Sequence, residues 1–230
     1  MQDLTLVIPA KYESESLPIF LKEISQLSCK KIIVLDKSDF KTIDAINNFQ
    51  EIKILYQQEK GYGAALIEGI NSVKTNFFCI INADGSMNPS YLPGMLETIK
   101  NNNLDYLFAS RYEKPGGGSD DDNFITTIGN FIFTNIGNLF FSLKISDILF
   151  TYVMGKRESF KNLEINSKDF TFCVEFPIKA KRKKSKYQTI PSFERSRIGG
   201  IKKVNAFKDG LLILIKMIKM FFIRWKKKLL

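Results

Sequence analysis

The sequence predicts an α/β protein, with a mostly parallel sheet, flanking helices and a basic amphipathic helix at its C-terminal end. Three observations predict it. Short apolar runs alternate with longer helical patterns through the first half, as right-handed βαβ units do. Acids, glycines and an arginine gather just after the apolar runs, where such sheets place their ligands. Finally, residues 1–178 carry 17 Lys/Arg against 22 Asp/Glu, whereas residues 179–230 carry 17 against 2. A mildly acidic body thus ends in a strongly basic tail, whose partner carries the opposite charge.

In chain order, the predicted strands are Leu4–Ile8, Lys31–Leu35, Lys53–Tyr56, Phe77–Ile81 and Tyr106–Ala109. Helical patterns lie between them at Leu17–Leu27, Lys41–Phe49, Ala64–Val73 and Pro89–Asn101. The strand-end clusters read Pro9-Ala10-Lys11-Tyr12-Glu13, Asp36-Lys37-Ser38-Asp39, Lys60-Gly61-Tyr62-Gly63, Asn82-Ala83-Asp84-Gly85-Ser86 and Ser110-Arg111-Tyr112. One such cluster is often a loop acid or a helix cap; five along one sheet edge point to a site.

From Lys114 to Asp122 the composition is that of a mobile loop. The segment 123–143 then runs uncharged and is long enough to span a bilayer. Ile125, Ile128, Ile132, Ile136, Leu139 and Leu143 fall on one helical stripe, with most polar residues opposite. That favours an amphipathic helix, packed on the sheet or facing lipid. A single span would also separate Arg111 from Asp147, which are expected to share a site. In the tail, Leu211–Ile223 is apolar except for Lys216 and Lys219. As a helix it covers about 20 Å, against roughly 30 Å of hydrocarbon. The two lysines cost about 5–7 kcal/mol at the bilayer centre, so spanning loses. Lys208, Lys216, Lys219, Lys226 and Lys227 share one arc of the wheel, bordered by Trp225, and the rest is apolar. This is the pattern of an interfacial helix on an anionic membrane surface. Packing against a membrane partner subunit or a second copy is the alternative.

The chain contains no histidine, which removes Ser-His-Asp and Cys-His catalysis and histidine metal sites. Cys29, Cys79 and Cys173 are too few and too scattered for a disulfide framework or a zinc site. Leu4–Pro9 reads as a buried strand, so no signal peptide is expected. Gly61 and Gly63 follow the third strand and Leu66 stands where a dinucleotide fingerprint has its third glycine, which argues against a dehydrogenase. No aromatic-interleaved basic motif appears, so no nucleic acid is expected as partner.

Transfer from a nucleotide sugar requires a neutralised diphosphate, a held nucleoside and a nucleophile aimed at the anomeric carbon. A divalent cation bridging diphosphate and carboxylate does the first job, and Asp84, ending an apolar strand, is placed for it. Asp36 suits a nucleobase or ribose, since carboxylates accept from ring N–H and hydroxyl groups. Gly61 and Gly63 allow close backbone approach at a helix N-terminus.

The order PAKYESESL, IIVLDKSDFKT, EKGYGAALIEGI, INADGSMNP, FASRY and SDILFTYVMGKRE resembles the family 2 glycosyltransferases, specifically the branch of dolichol-phosphate mannose synthases and bacterial polyprenyl-phosphate glycosyltransferases. The resemblance runs from about Leu4 to Leu214. It implies a Rossmann-like GT-A catalytic domain over 1–203, with 123–143 as an acceptor-side helix, and a membrane-associating tail over 204–230. It further implies inverting transfer from a UDP- or GDP-sugar to a polyprenyl phosphate, at the cytoplasmic face of a bacterial inner membrane. By the same resemblance Pro9, Glu13 and Asp36 line the nucleotide pocket, with Ala10, Ser38, Lys60 and Ala83 beside them in the same clusters. Asp84 matches the second acid of the D-x-D metal motif, and with Asn82 and Ser86 it would hold Mg²⁺ or Mn²⁺. Arg111 would hold a phosphate, and Asp147 is the base if the acceptor is an alcohol. Arg197, Gly200 and Lys203 match a loop that closes over the diphosphate. The chain departs from the pattern at Asn82, the first acid of D-x-D, at Tyr12, where many relatives have Asn, after Asp147, and at Lys202, which replaces a serine. Two further readings stand beside this one: transfer to a glycan or glycolipid hydroxyl, and a non-catalytic nucleotide- or lipid-binding relative.

Overall fold

A computed structural model describes residues 1–200 and 203–226. Lys202 and Lys227, and the side chains of Trp225 and Lys226, lie outside the described residues. The frame is one sheet whose strands are β1 (Leu4–Pro9), β2 (Lys30–Leu35), β3 (Lys53–Tyr56), β4 (Phe77–Ile80), β5 (Tyr106–Ser110), β7 (Val153–Lys156) and β8 (Tyr187–Pro191). A pair of short strands, β6 (Gly118–Ser119) and β9 (Phe193–Glu194), forms a second sheet. The main order is β3-β2-β1-β4-β7-β5-β8, parallel except for β7, which runs antiparallel to β4 and β5. β1 therefore has β2 on one side and β4 on the other, and the crevice beyond their carboxyl ends is a topological switch point.

Alternation along the strands builds two cores. Leu4, Leu6 and Ile8 of β1 meet Leu17, Phe20 and Leu21 of α1 (Ser16–Glu23) and Met95 and Ile99 of α4 (Leu92–Asn101). Val7 and Val34 point the other way, toward Ala65, Leu66 and Ile70 of α3 (Tyr62–Ser72) and Phe172 and Phe176 of α7 (Phe172–Arg182). Helices on both faces explain why these strands read as continuous apolar runs. The remaining helices are α2 (Phe40–Ile46), α5 (Phe124–Phe141), α6 (Arg157–Lys161) and α8 (Ala206–Lys226). All five expected strands are present, and the expected Pro89–Asn101 helix opens as a 3-10 turn at Pro89–Tyr91. The antiparallel β7 escaped the sequence pattern. It is four residues long, carries Gly155, and leads at once into α6. Glycine is required there, because a Cβ would come within 2.6 Å of Phe78 and 2.8 Å of Tyr106.

One expectation changes here, and one choice left open is decided. The 114–122 segment is held rather than loose: β6 pairs with β9, Asp122 forms an ion pair with Arg111, and Asp121 forms one with Arg197. The α5 helix docks with its polar stripe inward. Leu149 N–H donates to Asn130 Oδ1 at 3.0 Å and Ile148 N–H to Thr134 Oγ1 at 3.2 Å. Asn138 exchanges two hydrogen bonds with the Ile145 backbone. Of its apolar stripe, Ile125, Ile128, Ile132 and Leu139 are left exposed, with Phe131 beside them, whereas Ile136 packs on the body and Leu143, past the end of the helix, is buried. By length and composition α5 is apolar enough to cross a membrane, yet its docked side lies along the protein body.

Helix α8 joins the same body. Ile213, Met217 and Met220 bury with Phe141, Val174 and Ile178, and Phe221 meets Phe140 edge-on at 5.6 Å. Phe207, Leu211, Ile218 and Phe222 stay exposed, so α5 and α8 form one apolar platform. Lys208 and Lys219 are exposed as the wheel requires. Lys216 is not: it turns inward to the buried Glu175 of α7, at 3.2 Å. The wheel places residues by angle alone, and a buried acid on the neighbouring helix draws this lysine out of the set.

Candidate active site

A cavity of about 420 Å³ opens beyond the carboxyl ends of β1 and β4. Of the sequence-predicted residues, Pro9, Ala10, Glu13, Gly61, Asn82, Ala83, Asp84, Ser86, Arg111, Arg197 and Lys203 line it. Asp36, Ser38, Lys60, Gly63 and Asp147 do not stand among its walls.

Asp84 sits in the turn that follows β4. Its Oδ1 accepts from Ser86 N–H at 3.0 Å and Ser86 Oγ at 2.9 Å, which fixes the carboxylate. Its Oδ2 has only Arg197 near it among the described residues, at 3.9 Å. Asn82 Oδ1 accepts from the Tyr62 hydroxyl at 3.2 Å, and that hydroxyl also pairs with Thr151 at 2.6 Å. Burial pushes the Tyr62 phenol well up, so it acts as a neutral hydrogen-bonding group. No group of three acids or thiols forms a closed metal cage among the described residues. One carboxylate oxygen, an amide oxygen and a serine hydroxyl nevertheless fit a hard divalent cation that keeps waters and takes its remaining ligands from a diphosphate. Ser86 contributes mainly by orienting Asp84.

After β1 the chain makes a tight turn in which Tyr12 takes a left-handed φ of 54°. Tyr12 N–H donates to Asp39 Oδ2 at 2.7 Å and Glu13 N–H to Thr42 Oγ1 at 3.0 Å. Asp39, the cap of α2, thereby sets the position of Glu13. Glu13 accepts from Ser16 Oγ at 2.6 Å and pairs with Lys203. Asp36 instead accepts from the N–H and hydroxyl of Ser38, which hold its carboxyl below the usual range. Gln57 stands on the cavity wall nearby, its side-chain amide donating to Gly61 O at 3.0 Å.

The glycines after β3 serve a neighbour within the chain. A Cβ on Gly61 would lie 2.0 Å from Lys168 O, and one on Gly63 would lie 2.2 Å from Ser167 O. Ala64 N–H donates to Lys168 O at 3.1 Å, so this carbonyl occupies the start of α3 where free N–H groups were expected. The 166–170 segment thus forms a wall, with Phe170 stacked on Tyr62 at 4.9 Å and Asp169 facing the cavity. Cys173, behind it, also reaches the cavity; burial raises its thiol to about 12, so it stays neutral.

Arg111 is buried under acids. Its Nε and Nη2 donate to both oxygens of Asp147, at 2.7 and 3.0 Å. Its Nη1 meets Glu194 and Asp122, each at 3.1 Å, and its plane lies 4.7 Å over the Phe150 ring. Burial opposes the charge of Arg111, but these acids outweigh it and raise its pKa further. Asp147 is buried with both oxygens engaged, and it serves here to hold Arg111 rather than to face an acceptor. Glu194 does face the cavity; burial lifts its pKa above the ordinary range against the pull of Arg111. Asp121 binds Arg197 through two bonds, at 3.0 and 2.7 Å, and so anchors the last loop. Gln57, Asp121, Asp122 and Glu194 were missed from sequence. Gln57 directly follows β3 but is neutral and stands apart from the glycine cluster, Asp121 and Asp122 sit in a segment without a strand-end signal, and Glu194 lies beyond the last strand predicted.

A sheet parallel except for the internal β7, with an aspartate just past β4 at the switch point, suits a nucleotide-dependent transferase. Comparison bears this out at the level of family. Residues 5–164 match the model of glycosyl transferase family 2, and the chain belongs to that family. It is 26% identical over 192 residues to a dolichol-phosphate mannosyltransferase of Pyrococcus furiosus, covering 79% of this chain and 54% of that protein. An uncharacterised glycosyltransferase of Mycobacterium bovis is 27% identical over 96 residues, 42% of this chain and 43% of that protein. The chain therefore spans about half the length of these curated relatives. Among solved structures, glucosyl-3-phosphoglycerate synthase from Mycobacterium tuberculosis, in complex with Mn²⁺, UDP and glucosyl-3-phosphoglycerate, superposes with a TM-score of 0.75. The match covers 95% of this chain and 79% of that one at 11% identity, so it concerns the GT-A fold. The same enzyme with Mg²⁺ and UDP gives a TM-score of 0.71, at 12% identity over 95% of this chain and 78% of that one.

Proposed function

We propose that the chain transfers a sugar from a UDP- or GDP-sugar to a polyprenyl phosphate, with inversion, at the cytoplasmic face of a membrane. One observation carries the reading: the oriented carboxylate of Asp84, its Oδ2 turned to the cavity at the switch point, beside two helices whose apolar faces are uncovered. Asp84 and Asn82 would hold Mg²⁺ or Mn²⁺, which supplies positive charge to the diphosphate when bound. Lys11, Arg197 and Lys203 add the chain's own cations at the cavity wall. The acceptor phosphate is largely deprotonated at neutral pH, with a second pKa near 6, and needs positioning rather than a base. Its oxygen forms the new bond to the anomeric carbon as the old C–O bond breaks, the electron pair leaving on the nucleoside diphosphate. This suits a chain without histidine in which Asp147 is committed to Arg111.

A hydroxyl acceptor is the second reading, favoured by Glu194, a cavity-facing carboxylate with a raised pKa. Incubating the protein with UDP- and GDP-sugars, Mg²⁺ or Mn²⁺, and undecaprenyl or dolichyl phosphate separates the two. Sugar on the lipid phosphate is the expected result. Transfer only to an alcohol overturns the acceptor assignment, and nucleotide binding without turnover overturns catalysis.

The same proposal places the α5–α8 platform in an anionic membrane surface, with exposed lysines toward the headgroups. Phe131 and Phe222 are 69% and 57% exposed, so changing both to Asp leaves melting unaltered. Co-sedimentation with phosphatidylglycerol vesicles is expected to fall by about tenfold or more. Undiminished binding would show that the platform faces something other than lipid.

A further inference from the structure

Glu175 is a buried carboxylate on α7 that takes no part in the transfer step. Its Oε2 accepts from the backbone N–H groups of Ser167 at 2.7 Å and Asn166 at 3.3 Å. Lys179 meets its Oε1 at 2.7 Å, one helical turn along α7. The other cation comes from α8: Lys216 lies 3.2 Å from Oε2 and donates to Asn166 Oδ1 at 3.3 Å. Glu175 therefore grips the root of the 166–170 wall, and α8 supplies part of the charge that keeps this carboxylate ionised in a buried place.

Beyond that root the wall lines the cavity beside Tyr62 and Asn82, where the proposed function seats the donor. Lys168 O caps α3 through Ala64 N–H, Phe170 stacks on Tyr62, and Asp169 faces the cavity. The close fit of Gly61 and Gly63 to this backbone leaves the wall little room for small displacements. From this juxtaposition we infer that Glu175 and Lys216 are a positioning pair, which makes the seating of α8 part of the donor pocket. The helix that offers its outer face to the membrane thus also braces, through one lysine on its inner face, the wall that reaches Asn82 by way of Tyr62. The pKa of Glu175 agrees: burial raises it, and its hydrogen bonds and the two lysines bring it below the usual range.

The inference rests on the nucleotide-sugar reading for its affinity arm only, since the position of the wall can be measured without ligand. Wild type, Lys216→Met, Lys216→Arg and Glu175→Gln are compared as full chains by amide hydrogen exchange and thermal melting. Lys216→Met keeps the aliphatic stem and removes the charge. Exchange at Ser167 and Ala64 is expected to quicken by about tenfold in Lys216→Met and to return near wild type in Lys216→Arg. Titration with UDP and with GDP, each with Mn²⁺, is expected to show about five- to thirtyfold weaker binding of whichever the wild type takes. Vesicle binding is expected to stay unchanged.

Faster exchange confined to α8, with Ser167 and Ala64 as in wild type, overturns the inference, because Lys216 would then merely fasten its own helix. If the wild type binds neither nucleotide, the donor assignment of the cavity fails while the exchange result still decides the role of the pair. Should Lys216→Met not fold, Glu175→Gln gives the same test. It keeps an acceptor for Ser167 N–H and loses the charge, and unchanged exchange at Ala64 in that variant overturns the inference equally.

Discussion

Replacing Asp84 by Ala is expected to lower transfer by at least about 1,000-fold, because it removes the carboxylate proposed to meet a cation-bound diphosphate. The fold should survive the change. Asp84 lies in the turn after β4 rather than filling the core, and its Oδ1 partners, the N–H and hydroxyl of Ser86, lie in the same turn. Unaltered melting together with lost activity is the result to look for, and added Mn²⁺ should not restore it. Asp84→Asn tests the charge separately, since shape and one acceptor oxygen remain. Full transfer by the Ala variant would remove the basis of the whole assignment.

Arg111→Met should act in the opposite way, on stability first. The guanidinium is the shared partner of Asp147, Asp122 and Glu194, and Arg111 and Asp147 are 8% and 2% exposed. Removing one member of a buried ion cluster costs about 3–5 kcal/mol because charges are left unpaired. For a chain of this length that is a fall of roughly 6–20 °C in Tm. The pH dependence has a definite sign. Glu194 already stands above the ordinary carboxylate range, and a raised acid contributes fully below its unfolded pKa and loses that contribution as pH rises. The variant should therefore melt nearest to wild type around pH 4 and fall furthest behind at neutral pH. A uniform deficit across pH 4–8 would show that lost packing against Phe150, not unpaired charge, dominates.

Much of this was legible from residues alone. The parallel half of the sheet announces itself because buried strands read as unbroken apolar runs, and the switch point is set by the sheet's winding order. Asp84, Glu13, Arg197 and Lys203 were found because they adjoin those runs or match motifs. What the sequence concealed has common physical causes. Asp147 and Arg111 look alike as candidate site groups, and only coordinates reveal that each satisfies the other. Gly61 and Gly63 signal close backbone approach, but not whether a ligand or a carbonyl of the same chain approaches. The orientation of α5 was hidden for a similar reason. A helical stripe shows that two faces differ, and the choice of which turns inward belongs to the 145–149 backbone that offers partners to Asn130, Thr134 and Asn138.

That last arrangement has a consequence under the proposal that the α5–α8 platform lies against hydrocarbon. Greasy contacts between helices lose their driving force once lipid tails can replace them, whereas amide and hydroxyl bonds have no substitute there. A helix fastened by side chains to main-chain groups keeps its grip on the enzyme when its far side dissolves in oil. The same helix fastened by leucines would be free to drift away into the bilayer.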